Sequence, residues 1–194
     1  DNVLENRLAE LNKRIDFYVA DFYQDKKGFY WFASSANGLI CISEDGKNYK
    51  KFTVKEGLPS NTLVRIESVD DRFLWISTKD GLNRFDSNTF QVFKSSELEP
   101  NTICSNVLNY VYADPIDDVI WIATEKDGVD AYNYKSREFT HYEHDYGNPE
   151  TNDLGANGVT HIDGDKKGNI WFATYDGGID VLNRETGRFT NFNV

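Results

Sequence analysis

GNIWFATYDGGIDVLNRETGRFTNF, residues 168–192, is the stretch whose reading decides the fold. Residues 169–174 form an apolar run around Trp171, and Asp176-Gly177-Gly178 is predicted to supply the positive backbone angles of a tight hairpin. Residues 179–182 resume the strand, Thr186-Gly187 turns the chain again, and the last segment carries aromatics at both ends of FTNF. The same pattern occurs three times upstream: GFYWFASSANGLICISEDGKNYKKF (28–52), RFLWISTKDGLNRFDSNTFQVF (72–93) and VIWIATEKDGVDAYNYKSREFTHY (119–142). All four tryptophans occupy one slot, at intervals of 44, 46 and 50 residues (75−31, 121−75, 171−121). A period of that size marks repeat architecture.

Each repeat reads as four strands. The second strands, centred on Trp31, Trp75, Trp121 and Trp171, are apolar on both faces, whereas a strand with one wet face alternates. Two residues beyond each tryptophan stands a small residue, Ala33, Ser77, Ala123 or Ala173, on the same face of the strand. We read this as sheets stacked face to face, each ring filling the space beside a small residue of the next sheet. Four-stranded sheets stacked around an axis make a β-propeller, so the fold class is all-β with one blade per repeat. The blades fall at about residues 15–54, 62–94, 106–142 and 157–194. Aromatics three apart in each fourth strand (Tyr49 and Phe52, Phe90 and Phe93, Phe139 and Tyr142, Phe189 and Phe192) are expected to seal the outer edge. The connections between blades end in Asn61, Asn106 and Asn157, whose amides are expected to bond nearby backbone.

Residues 1–14 differ from all that follows. Leu4, Leu8, Leu11 and Ile15 recur at helical spacing and predict a short amphipathic helix, with the propeller segment spanning 15–194. A net charge of −11 excludes a nucleic-acid partner and direct contact with an anionic membrane. No apolar run approaches membrane-spanning length, and nothing at Asp1 reads as a signal peptide. Cys41 falls in a strand and Cys104 in a loop, non-equivalent places that suggest two small buried thiols rather than a bridge.

An Asp-x-x-Gly-x-Φ-Trp-Φ-small-Thr-x-x-Gly-Gly-Φ pattern, where Φ is apolar, followed by an aromatic-x-x-aromatic strand, resembles the two-component regulator propeller repeat. Asp165, Gly168, Ile170, Trp171, Phe172, Ala173, Thr174, Gly177, Gly178 and Ile179 match it in order, and Thr78 and Thr124 fill its threonine slot, with Ser34 a near match. Gly57-Leu58-Pro59-Ser60-Asn61 resembles the family's lead into the next blade. The resemblance implies the periplasmic or extracellular sensor region of a hybrid histidine kinase or related regulator, responding to an oligosaccharide. It also implies rings of about seven blades. A four-blade chain then looks like a piece of a larger receptor, with the remaining blades and signalling domains as partners, or a piece that self-associates. In an open arc the sheet faces around Trp31 and Trp171 are expected to be bare.

The candidate chemistry is sparse. His141 and His144 are three apart on a strand running into a loop, which points them to opposite faces and argues against a shared metal. His161 lies on an expected inner strand near Asp163. Asp163-Gly164-Asp165 resembles a calcium loop, but Lys166 and Lys167 stand where oxygen ligands are wanted. Streptogramin-lyase propellers carry strands similar to GNIWF, but no repeated histidine–carboxylate pair supports that chemistry here. No metal, cofactor or catalytic residue is assigned, and an enzyme ranks third behind a sensor and a protein-interaction module. Hairpins between second and third strands gather at one end of a propeller channel. There they place Asn37, Lys79, Asp80, Glu125, Lys126, Asp127, Tyr175 and Asp176, with Tyr146 from the longest connection. Aromatic faces beside planar polar groups suit a sugar, whose C–H faces stack while its hydroxyls hydrogen-bond. Lys79, Asp80, Lys126, Asp127, Tyr146, Tyr175 and Asp176 are the predicted ligand-binding residues.

Overall fold

A computed structural model describes residues 18–148 and 152–193. The helix expected over residues 1–14 lies outside them. Four antiparallel four-stranded sheets follow one another along the chain. The first holds β1 (Val19–Gln24), β2 (Tyr30–Ser34), β3 (Gly38–Ile42) and β4 (Tyr49–Phe52). The second holds β5 (Leu63–Glu67), β6 (Leu74–Thr78), β7 (Gly81–Phe85) and β8 (Phe90–Phe93). The third holds β9 (Leu108–Ala113), β10 (Val119–Thr124), β11 (Val129–Asn133) and β12 (Glu138–Tyr142). The fourth holds β13 (Val159–Gly164), β14 (Ile170–Thr174), β15 (Ile179–Asn183) and β16 (Arg188–Phe192). Strands pair in chain order within every sheet. The inner strands β1, β5, β9 and β13 lie side by side in succession, and no comparable packing joins β13 back to β1 among the described residues. The result is an all-β propeller arc of four blades.

The tryptophan slot explains the stacking, and its direction. The first three indole rings each point forward onto the next blade. Trp31 meets Phe85 at 5.7 Å, Trp75 meets Tyr132 at 5.8 Å, and Trp121 meets Phe172 at 5.6 Å. A buried indole N–H needs an acceptor. The repeat supplies one from its own first turn: Trp31 Nε1 donates to Asp25 at 3.0 Å, Trp121 Nε1 to Asp114 at 3.3 Å and Trp171 Nε1 to Asp165 at 3.2 Å. The small residue two places on, expected to make room for a ring of the adjacent sheet, instead makes room for the next inner strand. It shares the forward face with the tryptophan, and the next inner strand lies against that part of the second strand. Ala33, Leu63 and Ile66 accordingly fall in one buried cluster.

The paired aromatics of the fourth strands also differ from expectation. Residues three apart on a strand point to opposite faces, so the pair links blades rather than sealing an edge. The second member flanks its own tryptophan, as Phe52 does Trp31 at 6.2 Å. The first member turns back to the preceding blade: Phe90 meets Phe52 at 5.7 Å, Phe139 meets Phe93 at 6.2 Å, and Phe189 meets Tyr142 at 5.7 Å.

Hairpins between second and third strands use one left-handed residue each, and within Asp176-Gly177-Gly178 it is Gly178. Gly38, Gly81, Gly128 and Gly178 have φ of +79°, +109°, +79° and +81°. The threonine slot closes the same turn. Thr124 Oγ1 donates to the Gly128 carbonyl at 2.9 Å and accepts the Asp127 N–H at 2.9 Å, and Thr174 repeats this with Gly178 and Gly177 at 3.1 and 3.0 Å. Both cysteines are free; burial, with Asp25 nearby, pushes the Cys41 thiol up to about 12.

Because the tryptophans face forward, the two ends of the arc are unlike. Trp31, expected to be bare, is 7% exposed beneath the second blade, whereas Trp171 is 38% exposed. The backward face of the first sheet carries a separate buried cluster of Phe32, Ile40 and Ile42. Trp121→Ala should therefore cost roughly 3–5 kcal/mol in a denaturant titration, as large-to-small core changes do. Trp171→Ala, measured at high dilution, should cost less than half of that; equal losses would contradict the forward-facing arrangement.

Candidate functional site

An open cleft of about 470 Å³ lies between the third and fourth blades at the hairpin end. The β10–β11 hairpin contributes Glu125 and Lys126, the β14–β15 hairpin contributes Tyr175 and Asp176, and the connection between the blades contributes Tyr146, Asn157 and Gly158. Tyr146 and Tyr175 are 73% and 64% exposed, so two solvent-accessible aromatic rings line the one cleft.

The walls are held by a few backbone–side-chain contacts. Asn157 ties the connection at both ends: its Oδ1 accepts the His144 N–H, and its carbonyl accepts the Gly128 N–H at 2.9 Å. Asn61 and Asn106 do the same for the earlier connections, accepting the N–H groups of Val54 and Ser95 at 3.0 and 2.8 Å. His144 reaches Asp153 at 3.2 Å, and its ring stands edge-on to Tyr146 at 4.4 Å, which fixes that tyrosine over the cleft. On the fourth blade the buried Asp180 accepts the Gly155 N–H at 2.8 Å and the Asn191 side-chain amide at 2.8 Å. Burial pushes the Asp180 carboxyl up, and those two donors pull it back. The connection passes so close to the hairpin that a Cβ on Gly177 would stand 2.6 Å from the Gly155 carbonyl carbon. Only glycine fits there.

Of the residues singled out in the sequence, Lys126, Tyr146, Tyr175 and Asp176 line this one cleft. Lys79 stands beside them, 3.7 Å from Glu125 and 2.9 Å from Asn109. Asp80 does not join: it pairs with Lys94 on its own blade. Asp127 does not line the cleft, and only its backbone N–H joins the turn; Asn37, a blade further away, accepts from Lys51 at 2.9 Å. His141, in β12, and His144, in the loop beyond it, turn to different carboxylates, Asp130 and Asp153. His161 packs against the Tyr110 ring at 4.9 Å. Sequence reasoning missed Arg65, which joins three blades. It pairs with Asp21 at 3.3 Å and Glu67 at 2.8 Å, and lies over the Tyr110 ring at 4.7 Å. A lone arginine on an inner strand was its only signal.

The two component regulator propeller family matches residues 153–176, which include Asp165, Trp171 and Thr174 of the fourth blade. Residues 153–176 thus carry the two-component regulator propeller repeat. Histidine kinase P4 of Formosa agariphila is 32% identical over 69 residues, 34% of this chain and 5% of that protein. A structure named as the extracellular domain of the hybrid two component system BT3049 from B. thetaiotaomicron is 36% identical, with a TM-score of 0.69 over 74% of this chain and 20% of that one. A second, the extracellular domain of the one component system BT4673 from the same organism, has a TM-score of 0.76 over 95% of this chain and 26% of that one. At 23% identity it bears on the fold alone. The chain therefore spans about a quarter or less of these proteins. No helix among the described residues is long and apolar enough to cross a membrane, which says nothing of membrane-crossing strands.

Within the regulator repeat, Asn157 is the residue on which the cleft wall hangs. Asn157→Ala removes the acceptor of the His144 N–H and should cost about 1–2 kcal/mol. Hydrogen exchange should show it locally: the His144 amide should lose protection while the β14 amides keep theirs.

Proposed function

We propose that this chain is part of the ligand-sensing propeller of a two-component receptor on the outer side of a membrane, and that its cleft takes an oligosaccharide. The observation that carries this reading is the pair of exposed rings, Tyr146 and Tyr175, facing one cleft with Lys126, Asp176, Glu125 and Asn157 around them. A pyranose offers apolar C–H faces and a rim of hydroxyls, and these walls offer rings and planar polar groups to match. The 36%-identical structure named as the extracellular domain of a hybrid two component system supports the sensing role and the outer side of a membrane. The chain itself acts here without catalysis: ligand binding shifts the two hairpins and the connection between them, and other parts of the receptor read that shift. A glycan array followed by calorimetry tests this. Tyr175→Ala should weaken the selected oligosaccharide at least about tenfold, the equivalent of roughly 1.4 kcal/mol. No binding to any glycan, or binding indifferent to both Tyr146→Ala and Tyr175→Ala, would reject the site.

A second reading rests on a different surface. Trp171, Ile179 and Phe192 share the forward face of the fourth blade, exposed by 38%, 45% and 54%. Among the described residues Trp171 stacks on its own sheet's Phe192, at 6.4 Å, where the earlier tryptophans have a following blade. Such patches mark association sites. In the isolated chain, a second copy would cover this face; in a longer receptor, another blade would. Sedimentation should find a concentration-dependent dimer that Trp171→Glu abolishes, and a wild-type monomer at all concentrations would remove this reading.

A further inference from the structure

The third and fourth blades solve one structural problem with different residues. In both, a fully buried aspartate in the third strand receives the connection that precedes its blade. Asp180 is held by the Gly155 N–H and the Asn191 amide. Asp130, in the same register position, is held by the Cys104 N–H at 2.9 Å and by His141 Nδ1 at 2.5 Å. Anchoring the connection needs one backbone N–H and one side-chain donor, and glycine and asparagine suffice for that in the fourth blade. Cysteine and histidine at the matching places bring a thiol and an imidazole that the anchor does not require.

Those extra groups converge. Cys104 Sγ, an Asp130 carboxylate oxygen and a His141 ring nitrogen all lie within 4.8 Å of one another. We propose that Cys104, Asp130 and His141 form a binding site for a divalent cation of the Zn²⁺ type. Sulfur, nitrogen and oxygen donors together suit a borderline ion, and three protein ligands leave the fourth tetrahedral position to water or to a carbonyl. The Asp127 carbonyl is 3.1 Å from Cys104 Sγ. Charge balances: the thiol releases its proton to solvent on binding, and thiolate plus carboxylate neutralise the ion while the imidazole remains neutral. Without a cation, the site holds a carboxylate of 0% side-chain exposure whose burial pushes its pKa up, and burial and that carboxylate push the Cys104 thiol up as well. A divalent ion relieves both. Its path in is the His141 side, since that side chain is 40% exposed. The oxygen arrangement is already oriented, because the Cys104 N–H fixes the carboxylate from behind. Bound there, the ion clamps the second connection to the third blade.

The test compares the metal-free chain with a Cys104→Gly/His141→Asn variant, which copies the fourth blade's own anchor. Competition with a chromogenic chelator should show one Zn²⁺ per wild-type chain and a higher melting temperature with the metal than without it. The variant should bind more weakly by over the roughly 10- to 100-fold that loss of an outer partner costs. Co²⁺ should give the wild-type chain a thiolate-to-metal charge-transfer absorption. If the double variant fails to fold, Cys104→Ser alone should abolish that absorption. Absence of Zn²⁺ binding, binding unchanged in the variant, or a thiolate band that survives Cys104→Ser would overturn the proposal.

Discussion

The structure depends on the satisfaction of one N–H group. A tryptophan carries its large ring into the space between two sheets at least cost where its indole N–H finds an acceptor there, as three of the four do. Asp25, Asp114 and Asp165 provide it from the turn that precedes each second strand. One carboxylate also gathers the turn's own backbone, as Asp165 does by accepting from Lys167 and Asn169 at 2.8 and 2.9 Å. The Asn169 amide is the chief reason that the Asp165 carboxyl is held down at about 2. The spacing of aspartate and tryptophan is thus a packing device. The second blade handles its tryptophan differently: Arg84 lies over the Phe73 ring at 4.5 Å and near the Trp75 ring at 5.9 Å.

From the forward-pointing ring follow the direction of stacking and the seating of the connections. Each connection offers a buried apolar residue, Leu58, Ile103 or Leu154, and in the third and fourth blades the residue after it meets the third strand of the blade it enters. Where that residue has an N–H, as Cys104 and Gly155 do, an aspartate receives it. In the second blade the residue is Pro59, which has no N–H to give, and an uncharged Asn83 stands in the aspartate's place. The Asn83 amide is buried without a hydrogen-bond partner. The change from aspartate to asparagine fits the missing donor, because an unpaired buried charge costs far more than an unpaired amide.

Much of the site was legible because hairpins repeat. Once Lys126 and Asp176 are in equivalent turns of adjacent blades, they must come near each other, and Tyr175 with them. Asp80 was misplaced for a local reason. The flexible Lys94 reaches it from the end of β8, and no repeat pattern encodes such a pairing. The same limit hid Arg65, whose partners Asp21 and Tyr110 are 44 and 45 residues away on other blades. It also hid the meeting of Cys104, Asp130 and His141, which lie in a connection, a third strand and a fourth strand.

The sequence by itself determined the repeat, its four strands and the residues of its turns, because these depend on contacts within about 25 neighbouring residues. It also determined which side chains share a face, since alternation along a strand is fixed by backbone geometry. Which way a face looks is a different matter. The sequence marks Trp31 and Trp171 alike, yet one is buried and the other is exposed. Only the tertiary structure decides that, because the forward direction comes from the sense in which successive sheets stack. The same reason turned the aromatic pairs from an expected edge seal into links between blades.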